Sequence, residues 1–303
     1  MALNMYNIKK WYNMLTGKSV LHVNQDLGKM FVPGKLEGYF NNLTEKVTKE
    51  PELLETDALP QVKTEQGENV YFPVAVFQYG LGAWDLYLQT KDTRYLKKFF
   101  QCADWALQQQ ENTGAWNNFF FYYPEHPYGA MCQGEGVSVL TRAWRESADG
   151  RYLEAARRAV DFMLKPVEAG GTALYAEESL QLLEYTHRPA VLNGWIFALF
   201  GLYDWTLVCD EAGYQQQLEQ TVGALEKALP SFDNGYWSIY DLEGRISSPF
   251  YHNLHIAQMT ALYQATQKPG FNLYAKRFEE YRGKKINSAR AFVQKAVQKV
   301  LEK

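Results

Sequence analysis

Only three cysteines occur in the 303 residues, Cys102, Cys132 and Cys209. Their odd number and wide spacing exclude a disulfide framework, and no metal-ligand pattern accompanies them. Each is expected to behave as a small buried hydrophobe. Charge is also sparse: 21% of residues are charged and the net charge is −3, which leaves no basic footprint for nucleic acid. No stretch is long and apolar enough to span a bilayer. The opening Met1-Ala2-Leu3-Asn4-Met5-Tyr6 has no apolar run behind Lys9 and Lys10, so no signal peptide is read there. These absences lead to the expectation of a reduced, cytoplasmic (bacterial) setting with no bound metal.

What the chain has in quantity is aromatic surface. Aromatic residues reach 15%, with 21 Tyr and 8 Trp, within a hydrophobic total of 47% that suffices for a sizeable core. Aromatic faces suit a sugar-binding cleft, and they equally suit the core of a large helical protein.

The middle of the chain repeats. One unit runs from Gln78-Tyr79-Gly80-Leu81 through Trp84-Asp85-Leu86-Tyr87-Leu88 to Asp92-Thr93-Arg94-Tyr95-Leu96. A second runs from Gln133-Gly134-Glu135-Gly136 through Ala143-Trp144 to Asp149-Gly150-Arg151-Tyr152-Leu153. A third begins at Leu192-Asn193-Gly194 and turns near Asp210, and a fourth begins near Tyr251 and turns at Pro269-Gly270-Phe271. The aromatic opening each second helix stands at 95, 152, 214 and 271, in steps of 57, 62 and 57 residues. A helix, turn and helix cannot bury an apolar face alone, so the units must stack or close into a ring. First helices are nearly uncharged, as in residues 191–208, whereas second helices are amphipathic. Inner apolar helices and outer mixed helices make an all-α fold, an incomplete α/α toroid of about four hairpins. The long loops at 112–130 and 167–190 favour the toroid over an open solenoid, because they are placed to shape a cleft at one end. Residues 1–68 form a non-repeating N-terminal arm and connector, irregular or with short strands. Residues 69–283 form the helical domain. Residues 284–303 form a basic amphipathic helix, capped near Asn287-Ser288, that suits packing on its own domain or a peripheral membrane contact.

Tyr240, Tyr251, His252 and His255 fall within sixteen residues, at the start of an apolar helical pattern. Phenols and imidazoles take up and give protons without a permanent negative charge. Each also has a structural reading: Tyr240 as a turn-closing hydroxyl, the two histidines as a buried hydrogen-bonded pair, Gly194 as a close-approach residue. Glu135 reads as a cleft carboxylate or a helix-start residue.

Taken in order, Gln78-Tyr79-Gly80-Leu81, Gln133-Gly134, Glu184-Tyr185, Leu192-Asn193-Gly194 with Gly201-Leu202-Tyr203-Asp204, Tyr240-Asp241-Leu242, and Tyr251-His252 with His255 and Gln258 resemble the C-terminal catalytic domain of the D-glucuronyl C5-epimerases, the heparan sulfate and heparosan epimerase family. The resemblance covers roughly residues 70 to 283. It implies an α/α-barrel that inverts C5 of glucuronate, giving iduronate, within a glucuronate-containing polysaccharide and without a cofactor. It carries the proton transfers over to Glu184, Tyr185, Tyr240 and Tyr251. The chain departs from the family pattern after Asp241-Leu242, where Glu243-Gly244-Arg245 replaces an immediate basic residue.

Removing the C5 hydrogen places a second negative charge beside a carboxylate, so the site needs fixed donors. His252, His255, Arg188, Asn193 and Gln78 are the candidates, with Gln133 added from its motif. Tyr185 or Glu184 is assigned to one sugar face and Tyr251 to the other, with Tyr240 as donor or orienter. A phenol acting as base needs a nearby cation or donor, and Arg188 and His252 are named for this. The rivals are a polysaccharide lyase, a glycoside hydrolase recruiting two of Glu184, Glu135, Asp241 and Glu177, or a glycan-binding module without chemistry. A homodimer is compatible with any of them.

Overall fold

The computed structural model describes residues 22–301 apart from residue 178. The chain start, on which the signal-peptide reading rests, lies outside the described residues. Four helical hairpins carry the fold: α2 (Pro73–Thr90) with α3 (Thr93–Gln109), α4 (Ala130–Ser147) with α5 (Gly150–Leu164), α6 (Leu192–Thr206) with α7 (Ala212–Ala228), and α8 (Pro249–Thr266) with α9 (Pro269–Gly283). Neighbouring first helices pack in the order α2, α4, α6, α8, and each second helix packs outside its partner. The molecule is an α/α toroid of the expected kind. Among the described residues no helix is long and apolar enough to cross a membrane.

The layers follow from side-chain distribution. In α6 every residue from Leu192 to Leu202 is buried, including Trp195, Ile196, Phe197 and Phe200. In α5 one face is buried, at Tyr152, Ala155, Ala156, Ala159, Val160 and Met163, joined by Phe162 and Leu164 in the last turn. Each large apolar side chain so buried stabilises by about 1.5–3 kcal/mol. Inner helices α4 and α6 touch through glycines: a Cβ on Gly201 would sit 2.2 Å from the carbonyl oxygen of Gly134.

Three of the four hairpin turns share one device. Lys91, Ala148 and Gln267 end their helices in the left-handed region, at φ 60°, 58° and 57°. In the first two turns an aspartate follows directly and caps the next helix: Asp92 accepts from the Arg94 N–H and Asp149 from the Arg151 N–H, both at 2.9 Å. Such caps contribute about 1 kcal/mol each. All three cysteines are buried and free, as expected of small hydrophobes.

The arm is irregular, as expected, with a bridge between Leu27 and Asn41 and the short helix α1 (Thr44–Thr48). The polar connector holds a small hairpin, β1 (Val62–Lys63) paired with β2 (Asn69–Val70). The arm is integral to the core rather than an appendage. Phe40 stacks on Phe200 at 4.0 Å, and the Tyr39 N–H donates to Asp85 at 3.0 Å. Arg142, paired with Asp204 at 2.5 Å, also donates to the carbonyls of Glu37 and Gly38, each at 3.0 Å. A second hairpin, β3 (Ala173–Ala176) with β4 (Ser179–Leu182), stands between α5 and α6. The C-terminal helix α10 (Lys285–Leu301) starts two residues before the expected cap; Asn287 lies in its first turn and donates to the Tyr281 carbonyl. It does pack on its own domain, through Ala291, Gln294 and Gln298.

Candidate active site

A cleft enclosing about 1110 Å³ of empty space, including its open mouth, lies at the N-terminal ends of the inner helices. Gln78 of α2, Met131 of α4, Asn193 of α6 and Tyr251 and Leu254 of α8 all line it from the first two turns of their helices. Helix N-termini carry partial positive charge, so this end of the toroid favours an anion. The two long loops contribute further wall: Asn118, Phe119, Phe121, Tyr122 and Tyr123 from one, Glu184 and Tyr185 from the other.

Glu184 and Tyr185 follow β4 after one residue, Leu183. The Ala130 N–H donates to the Leu183 carbonyl at 2.8 Å, and the Leu183 N–H donates to the Thr172 carbonyl at 2.9 Å, fixing the strand end against α4. Two glycines make room for the pair. A Cβ on Gly129 would lie 2.3 Å from the Glu184 carbonyl oxygen, and one on Gly194 would lie 2.2 Å from Glu184 Oε2. Burial pushes the Glu184 carboxyl up to about 7, against the pull of a hydrogen bond donated by Tyr185. Burial and the neighbouring Glu184 push the Tyr185 phenol well above its ordinary range. Its ring stacks on Phe119 at 4.9 Å.

Tyr251 enters from the first turn of α8, whose N-cap Ser248 accepts from the Tyr251 N–H at 3.4 Å. Tyr240 arrives on the segment before α8. That segment is bridged to the start of α6: Leu192 N–H donates to the Tyr240 carbonyl at 3.0 Å, and Leu242 N–H to the Ala190 carbonyl at 3.1 Å. The two rings stand 4.8 Å apart. Burial, then Glu184, raises the Tyr251 phenol, and a hydrogen bond from Tyr240 pulls it back down. Glu184, Tyr185, Tyr240 and Tyr251 thus form one electrostatically coupled cluster. The departure after Asp241-Leu242 is resolved by a turn: Gly244 at φ 85° brings Arg245 back to pair with Asp241.

The other sequence candidates divide. Gln78 lines the cleft and donates to Glu135 Oε1 at 2.6 Å. Asn193 lines it with a buried Oδ1 that no protein donor meets among the described residues. Arg188 lies beside the aromatic rim, its guanidinium 5.2 Å from the Tyr123 ring and 5.7 Å from the Tyr185 ring. It meets the ring of Tyr185 and is not among the residues lining the cleft. Gln133 is turned away from the cleft. Its amide clamps Trp116, accepting from the backbone N–H and donating to the carbonyl, both at 3.0 Å, and so holds the loop that carries Asn118 and Phe119.

His252 and His255, one and four residues beyond Tyr251, do not line the cleft and pack instead between α8 and the 233–247 segment. His252 stacks on Trp237 at 3.6 Å. The Ser238 N–H donates to its Nδ1 at 3.1 Å, which leaves the ring proton on Nε2 to donate to the Phe278 carbonyl at 3.0 Å. Burial pushes this imidazole down to about 3, so it is neutral and supplies no cation to a phenol. Ser238 Oγ lies 3.0 Å from Nδ1 of His255, whose ring burial likewise keeps neutral. The pair fastens the segment bearing Tyr240, which is the buried-network reading of these histidines. Sequence reasoning passed over Lys46, His22 and Gln25, all from the arm, which line the cleft. A lysine buried to 3% exposure leaves no local signal in a polar sequence.

Among the described residues no group of three or more His, Cys, Asp or Glu is arranged to hold a metal ion. Comparison with known proteins adds the family. A D-glucuronyl C5-epimerase of Caenorhabditis elegans is 32% identical over 166 residues, which are 48% of this chain and 27% of that protein. An uncharacterized protein of Methanocaldococcus jannaschii is 32% identical over 160 residues, 51% of each chain. The chain therefore spans between about a quarter and about half the length of these relatives. A solved structure of a UGL variant with dGlcA-Glc-Rha-Glc shares the fold, with a TM-score of 0.51 and 10% identity over 94% of this chain and 82% of that one. The family model described as D-glucuronyl C5-epimerase C-terminus matches residues 102–280, a span that holds Glu184, Tyr185, Tyr240 and Tyr251, and the chain belongs to that family.

Proposed function

We propose that this protein is an epimerase that inverts C5 of D-glucuronate residues in a polysaccharide, giving L-iduronate, by abstraction and return of a proton. The observation that carries the reading is the coupled cluster of Glu184, Tyr185 and Tyr251 on the cleft with Tyr240 packed behind Tyr251, drawn from two separate loops and a helix start. Glu184 takes the C5 proton as its carboxylate, a form available near neutral pH because its range lies at about 7. The C–H bonding pair moves into the C6 carboxylate, making an enediolate dianion, which the helix N-termini and cleft donors stabilise. Tyr251 holds its proton at neutral pH and gives it to C5 from the opposite face as the pair returns to carbon. The Tyr240 hydrogen bond stabilises the phenolate left on Tyr251, and Tyr185 orients Glu184.

Incubation with a glucuronate-containing polymer such as heparosan in deuterated water tests the reading. NMR is expected to show label at C5 and new iduronate signals. Bound polymer without label removes the chemistry, and products absorbing in the near ultraviolet assign the protein to the lyases instead. Tyr251→Phe is expected to lower turnover by about 10²–10⁴-fold with the fold retained, the usual scale for a lost proton-transfer group, and Tyr185→Phe by at least about tenfold through the misplaced Glu184. Near-normal rates in both variants would refute the assignment.

A further inference from the structure

The proposed reaction needs a cation for the sugar carboxylate, and neither His252 nor His255 is one. The cleft wall holds another candidate. Lys46, in the short helix α1 of the arm, is only 3% exposed yet lines the cleft together with Gln78, Asn193, Glu184, Tyr185 and Tyr251. It lies outside the span matched by the family model. Glu135, fully buried in α4 and held at Oε1 by Gln78, is close enough for its charge to couple to that of Lys46, and its Oε2 has no hydrogen-bond partner among the described residues.

We propose that Lys46 is the carboxylate-binding residue of the cleft and makes it selective for uronic acids over neutral hexoses. This rests on the sugar-epimerase reading for the identity of the ligand. The geometry supports it in two ways. A lysine so deeply placed meets a ligand only inside the cavity, so it cannot act as a general surface attractant. The buried Glu184 on the same cleft would otherwise repel an acidic sugar. Burial pushes Lys46 down and Glu135 up, and each draws the other back toward its charged form. Desolvation in the cleft makes a charge-assisted hydrogen bond there stronger than on the surface.

The test measures binding of a short glucuronate-containing oligosaccharide and of the same oligosaccharide with its carboxyl groups reduced to alcohols. The full chain is compared with Lys46→Met and Lys46→Arg, with melting temperature as the control for folding. The unsubstituted protein is expected to prefer the acidic form by about tenfold or more, the scale of one charge-assisted hydrogen bond. Lys46→Met should erase that preference, mainly by weakening the acidic ligand, and Lys46→Arg should keep part of it. An intact preference in a folded Lys46→Met protein, or no preference in the unsubstituted one, would overturn the proposal. If the methionine variant does not fold, Glu135→Gln carries the test: removing the competing carboxylate should tighten the acidic ligand a few-fold and leave the reduced one unchanged. An unchanged or weakened acidic ligand counts against Lys46. Deuterium incorporation separates the two readings. A Lys46-dependent preference without exchange at C5 sinks the epimerase and spares the binding role. Exchange with an unaltered KM in Lys46→Met does the reverse.

Discussion

Glu184 shows how much one side chain depends on the atoms around it. Its carboxyl is lifted to about 7 by burial while Tyr185 donates to it. As a base it must be ionised, so turnover is expected to rise with pH through about 7 and level off above. The Tyr251 proton, held above its ordinary range, is retained throughout. A pH–rate profile checks this, and a flat profile from about pH 5 to 9 would remove Glu184 from the role. The same carboxylate needs the empty space at Gly194, where a Cβ would also lie 2.7 Å from Glu184 Cβ. Gly194→Ala is therefore expected to lower turnover at least about tenfold by displacing the base, the sensitivity known for small misplacements of catalytic groups, and to destabilise by about 1–3 kcal/mol as the overpacked site adjusts. Glycine was legible at this position only as a close-approach residue; that the approaching atom is a side chain of the site depends on a contact from another loop.

At the scale of the elements, the hairpins were readable because their signals are local. Apolar periodicity and an aromatic near the start of the second helix recur within each unit, with an aspartate cap in the first two, and each needs only its own neighbours in the chain. The turns carry a cost that the sequence conceals. Ala148 holds φ 58° on the surface, a conformation that a Cβ disfavours. Ala148→Gly is expected to stabilise by a few tenths to about 1 kcal/mol, the relief of left-handed strain less the added chain entropy. Denaturant unfolding measures it, and destabilisation would show that the turn is not strained. In α8 the faces were misjudged for a simple reason. Adjacent helical residues point about 100° apart, so Tyr251 meets the cleft while His252 meets Trp237. Both sequence and spacing allowed either face. Only the position of the 233–247 segment decides between them.

For the molecule as a whole, the arm and the ring are one folding unit. Arg142 is at the join: it pairs with Asp204 across α4 and α6 and donates to two arm carbonyls. Removing one member of a buried ion pair typically costs about 3–5 kcal/mol, because the other charge stays buried alone. Arg142→Met is expected to destabilise by that order, and Arg142→Met with Asp204→Leu to recover much of it. Equal stability of the single and double variants in urea unfolding would show that the carbonyl contacts, not the ion pair, dominate. Because the arm also brings Lys46, Gln25 and His22 to the cleft, loosening the join should disturb binding as well as stability.

The amino-acid order alone specified the four hairpins, the inner and outer layers, the loops that build a cleft and the family motifs within them. These are properties of short windows, where hydrophobic period and turn chemistry act without distant partners. The tertiary structure alone decided which polar residues reach the cleft: Tyr251 and Asn193 do, His252 and Gln133 do not, and Lys46 does from a segment that repeats nothing. The physical reason is that burial and charge coupling arise between segments far apart in the chain. A side chain's protonation and accessibility are therefore set by neighbours that its own stretch of sequence does not contain.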